Sequence, residues 1–270
     1  MANAVVAQSA PHSSHLITWL GRRLPSRDQV LRSEMVWLGL VAYLVLAKIL
    51  SQTLVPIGFR GATQEDLFAW SNIALFGVLG LVGIWSGRAV GFPAAWDARI
   101  SSKKRLLLPA AVGLGIGVVE VGVDLLTSAT RVLTQLTGQS SFNIDFPGSL
   151  LAYSGGAIQV ELLFRLFGLP FLLWLISSVV LRGRGQRPTL WVLGAVAASF
   201  EPVVQGVFST LDSGGLLIPV MLGGYLLTAL PENILAVVFF RRYGLLAPLV
   251  LRWSEYLIWH ILYGNFLYHG

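Results

Sequence analysis

The sequence of 270 residues contains no cysteine, which excludes disulfide bonds, thiolate catalysis and zinc or iron–sulfur sites with cysteine ligands. Charged residues are also scarce: they make up 12% of the chain, whereas hydrophobic residues make up 55% and the mean hydropathy is +0.71. Soluble domains carry about 25% charged residues. The composition therefore predicts an integral membrane protein.

Histidine is the next scarce residue type, with four in the chain. His12 and His15 lie in a polar N-terminal stretch, and His269 is next to last. His260 is therefore the only imidazole in an apolar segment, which limits any histidine-based chemistry to one side chain.

Long apolar stretches predict an all-α bundle of about seven transmembrane helices, because a hydrocarbon core about 30 Å thick needs about 20 apolar residues per helix. We predict three parts: a polar cytoplasmic leader over 1–33 in place of a cleavable signal peptide, the first three helices within 34–147, and a four-helix core within 148–270. The predicted spans are 35–57, 67–87, 106–127, 149–175, 189–208, 215–240 and 244–268.

The net charge of +6 comes from basic residues in the predicted loops. Alternate loops, with the leader, hold fourteen Lys and Arg on one side against two on the other. This asymmetry places the N-terminus in the cytoplasm and favours a bacterial inner membrane. We interpret the basic loops as topology signals, with a lipid or nucleic-acid patch as the alternative. Because the basic residues fall in these loops, a nucleic-acid partner is not expected. The sequence also has no phosphate-binding glycine loop, since it has no credible strand for one to follow.

Glycine and tryptophan follow patterns typical of membrane helices. Glycines at short spacing let helices approach closely, as in Gly77, Gly80 and Gly83 and in Gly113, Gly115 and Gly117. Tryptophans near span ends are predicted to anchor the protein at the membrane surface; these are Trp37, Trp85, Trp174 and Trp191.

Ionisable residues inside the spans are few, and each costs about 2.5–3.5 kcal/mol at bilayer depth. Glu161 and Arg165 lie four residues apart on one helical face and are expected to form a pair. This pair is either a structural brace or part of a catalytic or binding site. His260 is either a hydrogen-bonded structural residue or a ligand.

Five more carboxylates lie in these spans, one of which is Glu255, five residues before His260. Glu120 and Asp124 are also four residues apart, and they repel each other unless one is protonated or a cation, Lys48 or Arg252, lies between them. The other two each adjoin a proline: Glu201 precedes Pro202 and Glu232 follows Pro231. These two carboxylates are expected either to line a cavity at a helix break or to lie near the membrane surface.

Three passages over residues 148–265 resemble the CPBP intramembrane endopeptidases, the superfamily of CAAX prenyl proteases and bacteriocin-processing enzymes. The passage from Gly156 to Arg165, GAIQVELLFR, resembles the family's EExxxR motif, with Glu161 as the second glutamate. The passage from Trp191 to Val204 resembles the segment that leads into FxxxH. The third passage, FRRYGLLAP at 240–248, is followed by Arg252 and His260 and resembles the basic turn and HxxxN/D helix.

Four of the family's catalytic positions are substituted here. The first glutamate of EExxxR falls on Val160, the histidine of FxxxH on Val204, and HxxxN/D on Arg252 and Tyr256. In the family these residues are thought to activate a water molecule and hold the tetrahedral intermediate. Valine can do neither, and arginine cannot act as a base.

The resemblance therefore implies the family's fold more firmly than its activity. If the fourth and seventh spans pack as in the family, Arg252 enters the cavity that contains Glu161 and forms a salt bridge there. A catalytic zinc ion usually has three protein ligands, so no metal site is expected, although Glu161, Glu201 and His260 are a conceivable improvised set. No cofactor is predicted.

Three functions remain as hypotheses. The favoured one is a non-proteolytic accessory or scaffold subunit that lies in the lipid bilayer and binds another membrane protein. The alternative is an active endopeptidase with a rearranged Glu/His site, in which Glu161, Arg165 and His260 are catalytic. The third is a transporter, for which we find no inverted repeat. Outside catalysis, the candidate binding residues are Glu201, Arg252, Glu120 and Asp124.

Overall fold

The computed structural model describes residues 26–54, 58–59, 62–63, 67–137, 143–212 and 226–268. His12, His15 and His269 lie outside these residues, as does most of the predicted leader. Within them the chain is helical apart from loops and one short antiparallel pair, Gly58–Phe59 with Ala62–Thr63. The helices are α1 (Arg27–Thr53), α2 (Trp70–Val90), α3 (Lys103–Thr127), α4 (Ala129–Thr137), α5 (Gly148–Val180), α6 (Gln186–Asp212), α7 (Ala229–Tyr243) and α8 (Leu246–Tyr256, continued by the π-helical segment Leu257–Leu267).

Four of these helices, α1, α2, α3 and α5, are long and apolar enough to cross a membrane. The predicted all-helical architecture is therefore confirmed, and four of the helices have the length and composition of membrane spans. The fifth and seventh predicted stretches are helical as α6 and α8, and α7 covers the described end of the sixth. Residues 215–225 of that sixth stretch lie outside the described residues.

Helix α1 begins at Arg27, inside the stretch predicted as leader. The Ser26 hydroxyl accepts a hydrogen bond from the backbone N–H of Gln29, and the Gln29 side chain accepts one from the N–H of Ser26. This capping box satisfies two backbone donors that the first helical turn leaves without intrahelical partners. The cap extends the helix by two polar turns before its apolar part.

Glycine allows close helix contacts at four of the six predicted positions. A Cβ atom would lie 2.1 Å from the Trp37 ring at Gly80 and 2.2 Å from the Leu166 carbonyl oxygen at Gly83. The equivalent distance at Gly113 is 2.1 Å to the Leu251 carbonyl oxygen. A Cβ at Gly117 would lie 2.7 Å from Ile258, whereas Gly77 and Gly115 have no such neighbour within 4 Å.

These close contacts join α1 to α2, α2 to α5 and α3 to α8, around a main hydrophobic core and a smaller second cluster. Helix α3 packs along α8, and both α1 and α2 pack against α5. The prediction of Trp37 as a surface anchor is wrong: its side chain is buried in this core, and its indole N–H donates to the Gly77 carbonyl at 3.1 Å. Trp85 and Trp191 are exposed, as anchors would be.

The loop from α2 to α3 is built around Asp97. Its carboxylate accepts hydrogen bonds from the Arg99 side chain, the Arg99 backbone N–H and the Gln29 side chain. Burial raises the pKa of Asp97, but the hydrogen bonds and positive charge of Arg99 outweigh it, so the net pKa is below the usual value. Arg105 donates to the carbonyls of Asp97 and Ile100 and lies over the Trp96 ring, with 4.5 Å between the guanidinium carbon and the ring centre. These contacts fix the start of α3.

Candidate functional site

An ion cluster lies inside the helix bundle, centred on Arg252 of α8. Its Nε atom donates to Oε1 of Glu161 on α5 at 2.8 Å. Its two terminal nitrogens donate to both carboxylate oxygens of Glu201 on α6, at 3.3 and 3.1 Å. The side chains of Arg252 and Glu161 are 2% and 1% exposed. One guanidinium therefore joins three helices through buried, charge-assisted hydrogen bonds.

Arg165 adds a second guanidinium to this cluster. It lies one helical turn after Glu161, and its Nη1 is 3.2 Å from Glu161 Oε1. Arg165 also donates to Oδ1 of Asn233 on α7, and Arg252 donates to the same oxygen at 2.8 Å. The Asn233 side-chain amide in turn donates to the Ala229 carbonyl at 2.9 Å, which fixes its orientation. Each of the two arginines therefore donates to the Glu161 carboxylate and to the Asn233 amide oxygen.

Glu232 approaches the cluster from the first turn of α7. Its Oε2 atom lies 3.8 Å from Nη1 of Arg252, and its side chain is 4% exposed. Pro231 lies in the first helical turn, where a proline does not interrupt the helix because its missing N–H has no intrahelical acceptor. The positive end of the α7 dipole also favours a carboxylate at this position.

A second group of carboxyls adjoins Arg252 at α3. The Glu120 side chain on α3 lies close to the side chains of Glu255 on α8 and Thr228, which precedes α7. Two carboxylates repel each other and can only accept hydrogen bonds, so a proton on one of them would make this approach favourable. Together with Glu161, Glu201 and Glu232, this makes five carboxyls for two guanidinium groups. An excess of negative charge buried in this way is costly unless part of the set is protonated.

Asp124 and His260 lie apart from the Arg252 contacts. Asp124 accepts from the backbone N–H of Thr130 at 2.8 Å and from the Tyr263 hydroxyl at 2.7 Å. These donors, and not Lys48 or Arg252, satisfy its carboxylate, and Glu120 points to a different partner. The two carboxyls on α3 therefore have different neighbours.

The His260 ring packs in a polar pocket of its own. Its Nδ1 is 3.0 Å from Oδ1 of Asn143, and its ring stacks on Tyr153 with 3.8 Å between centres. The Tyr153 hydroxyl donates to the same Asn143 oxygen. Tyr256 is the nearest link to the cluster, since its ring contacts His260 and its hydroxyl accepts from Arg252 at 3.3 Å.

The structure brings together four of the seven predicted site residues: Glu161, Arg165, Glu201 and Arg252. Glu120 adjoins them through its contact with Glu255. Among the described residues, no group of three or more His, Asp or Glu side chains is arranged to hold a metal ion. His260 has no contact with Glu161 or Glu201 in this part of the chain, so the improvised ligand set is not assembled.

Four cluster members were not among the predicted site residues: Asn233, Glu232, Glu255 and Tyr256. The run Pro231-Glu232-Asn233 was the available signal for two of them, because a carboxylate and an amide beside a proline are unusual within an apolar stretch. Glu255 lies three residues after Arg252 and Tyr256 lies four after it, so both share the face of α8 that carries Arg252.

The chemistry available to this cluster is charge stabilisation rather than proton abstraction by the central residue. A guanidinium stays protonated in proteins, and Arg252 donates to both carboxylates at its centre. One oxygen of Glu161 and one of Glu232 have no hydrogen-bond partner within the described residues. Comparisons with protein-family models, with curated proteins and with solved structures found no match.

Proposed function

We propose that the chain is a CPBP-like membrane protein that does not cleave peptides and works as an accessory or scaffold subunit bound to another membrane protein. One observation carries this proposal: Arg252 donates to both Glu161 and Glu201, so the carboxylates that would activate a water molecule are held in a buried ion cluster. Such a cluster stabilises the arrangement of three helices without supplying a free base.

The placement of His260 supports the same proposal. A rearranged peptidase site would need this imidazole beside Glu161 or Glu201 to transfer a proton, within hydrogen-bond reach of the same water. Its Nδ1 instead contacts Asn143, and its ring stacks on Tyr153.

Helix α3 offers the most open face for a membrane partner among the four spanning helices. In its most apolar window 17% of residues are buried inside the protein, against 28–39% in the other three. Gly115 is exposed on this face and has no neighbour within 4 Å of a built Cβ, beside exposed Val118 and Leu114. Small residues on a lipid-facing surface let a second helix approach closely, which is what drives association inside a bilayer.

The test compares two variants in which an exposed glycine is replaced by leucine, one on α3 and one on α1. The protein and its G115L and G39L variants are purified in mild detergent from the native membrane, and companions at near-equal amount are identified. Gly39 is the matched control because it is also exposed and open, but lies on α1. We expect a stoichiometric companion with wild type and G39L and its loss with G115L. Retention of the companion by all three, or a lone wild-type protein, would contradict the proposal.

The peptidase alternative is tested with the same companion. If Glu161 served hydrolysis, the companion would be degraded more slowly in the presence of E161Q, or would remain uncleaved and therefore longer. The E161Q variant itself would still accumulate. We expect equal length and half-life with wild type and E161Q. A difference that follows E161Q but not G39L would replace the proposed function with the peptidase.

We also propose seven spans with the N-terminus in the cytoplasm of a bacterial inner membrane. The charge asymmetry between loops and the positions of α6, α7 and α8 support this topology. Because the chain has no cysteine, a single introduced one reports its own side. We expect a membrane-impermeant maleimide to label Q135C in intact spheroplasts and R184C only after permeabilisation. The reverse pattern would invert the topology.

A further inference from the structure

Five arginines gather at one end of the bundle. Arg182 and Arg184 lie between α5 and α6, Arg187 lies in the first turn of α6, and Arg241 and Arg242 lie in the last turn of α7. Helix α6 packs against α7, and the charges of Arg187 and Arg242 are close enough to Arg241 to repel it. We call these five residues the arginine surface.

The arginine surface has no acidic counterpart in the described part of the chain. None of its members forms an ion pair there, and the sequence has no Asp or Glu over 162–200 or 233–254. Nε of Arg241 is buried and lacks a hydrogen-bond partner among the described residues. The loop before α3 differs, because Asp97 pairs with Arg99 and its carbonyl accepts from Arg105. Topology alone needs positive charge on this side, but it does not need Arg187 and Arg242 to lie close enough to repel Arg241.

The loop conformation keeps these charges close to the helix ends. Arg182, Gly183 and Gly185 have φ angles of 51°, 84° and 66°, in the left-handed region. The Gly183 N–H donates to the Ser177 carbonyl at 2.7 Å, so the chain turns back over the end of α5. Arg182 adopts this backbone without the freedom of glycine, which shows how tightly the loop is closed.

Apolar side chains lie directly beside the arginine surface. Helix α5 is of membrane-spanning length and ends at Val180, so its end is expected near one membrane surface. Val179 and Val180 are 51% and 65% exposed there. Trp191 is 42% exposed, and the guanidinium carbon of Arg241 lies 5.4 Å from its ring centre. A phosphate at the arginines would therefore place an attached acyl chain along exposed hydrophobic residues.

We propose that the arginine surface binds the phosphate of an anionic phospholipid, with the acyl chains against Val179, Val180 and Trp191. Guanidinium groups hold phosphate oxygens through paired N–H donors, and clustered cations at a membrane surface attract anionic head groups. The adjoining apolar side chains favour a lipid over free phosphate or an acidic soluble protein. This inference does not depend on the proposed function.

The test measures thermal stabilisation of the purified full-length protein in mild detergent. The probes are dioleoylphosphatidylglycerol, dioleoylphosphatidylcholine and inorganic phosphate, titrated separately. The variants are R187Q/R241Q, its charge-retaining counterpart R187K/R241K, and the control K103Q/K104Q. The control removes two exposed cations from another basic segment predicted to lie on the same side.

We expect phosphatidylglycerol, and not the other two probes, to stabilise wild type and K103Q/K104Q. We expect R187Q/R241Q to bind it about tenfold more weakly, with partial recovery in R187K/R241K. Equal weakening in K103Q/K104Q would show general surface attraction and overturn the site. Equal stabilisation by phosphatidylcholine or by inorganic phosphate would overturn the assignment to an anionic lipid, and so would unchanged binding in R187Q/R241Q. Size-exclusion elution at the wild-type volume shows that each variant is folded.

Discussion

Nε of Arg252 lies 2.8 Å from Oε1 of Glu161, although 91 residues separate them in the sequence. Arg165 donates to the same carboxylate oxygen from one helical turn away. Glu161 therefore receives two guanidinium groups, one local and one brought by the packing of α8 on α5. The second contact depends on the tertiary fold and so reports the assembly of the bundle.

Removing the central cation is expected to destabilise the protein strongly. R252M leaves Glu161 without its interhelical partner and Glu201 without its guanidinium. Leaving buried charges unpaired typically costs about 3–5 kcal/mol. The free energy of unfolding, measured by denaturant titration in mild detergent, should fall by this order. The matched control is R32M, because Arg32 is exposed and lies outside the cluster.

A second substitution separates lost charge balance from lost packing. R252M/E161M removes one positive and one negative charge together, so Arg165 and Glu201 remain as a balanced pair of charges. Replacing a whole buried pair by hydrophobic residues is often close to neutral. We expect the double variant to be more stable than R252M alone. A double variant as unstable as the sum of the two single losses would mean that Arg252 contributes by shape and not by charge.

Local sequence patterns predicted part of this site. The spacing of four residues placed Glu161 beside Arg165, because residues at that spacing face each other on a helix. Arg252 was expected near Glu161 through the family resemblance, and the structure shows that contact. The long apolar stretches likewise predicted the spanning helices, since bilayer thickness determines their length.

The remaining contacts depend on tertiary packing that has no local signature. Glu120 meets Glu255 only because α3 lies along α8, and Asn233 reaches both arginines only because α7 packs beside them. His260 was a candidate for the same site because it is the only histidine in an apolar segment. Its ring instead contacts Asn143, which lies in the segment before α5. Periodicity shows which face is polar but not which helix it meets.

The contact between α3 and α8 is expected to depend on Gly113. A Cβ there would lie 2.1 Å from the Leu251 carbonyl oxygen, which is backbone and cannot rotate away. G113A should therefore push the helices apart and lower the free energy of unfolding by about 1–3 kcal/mol. Gly115, two residues later, has no neighbour within 4 Å of such an atom, so G115A is the matched control. Equal stability of G113A and G115A would show that the helix contact is looser than the structure indicates.

Replacing Glu255 by glutamine is expected to lower the free energy of unfolding less than replacing it by alanine. The Glu255 side chain lies close to that of Glu120, and a hydrogen bond between two carboxyls needs one donor. The side-chain amide of E255Q supplies such a donor in place of a carboxyl proton. E255A removes it and leaves the buried Glu120 carboxyl without that partner, which costs about 1–3 kcal/mol. Denaturant titration should place E255Q within about 1 kcal/mol of wild type and above E255A. If E255Q were as unstable as E255A, the carboxyl pair would not be held by a shared proton.

Asp97 is expected to make a pH-dependent contribution to the free energy of unfolding. The difference in stability between wild type and D97N measures that contribution. Because the folded pKa of Asp97 is lowered by its bonds with Arg99, its ionised form stabilises the fold. That contribution is full above the unfolded value of about 3.9 and is lost as pH falls through the lower, folded pKa. At pH 7, D97N should be less stable than wild type by about 1–2 kcal/mol, as for a lost charged hydrogen bond. The difference should shrink as the pH falls below about 4.

D145N is the control, since Asp145 is exposed and forms no ion pair among the described residues. Thermal unfolding at both pH values measures each difference, and a gap between wild type and D97N that stays constant with pH would mean that the Asp97 charge does not stabilise the loop.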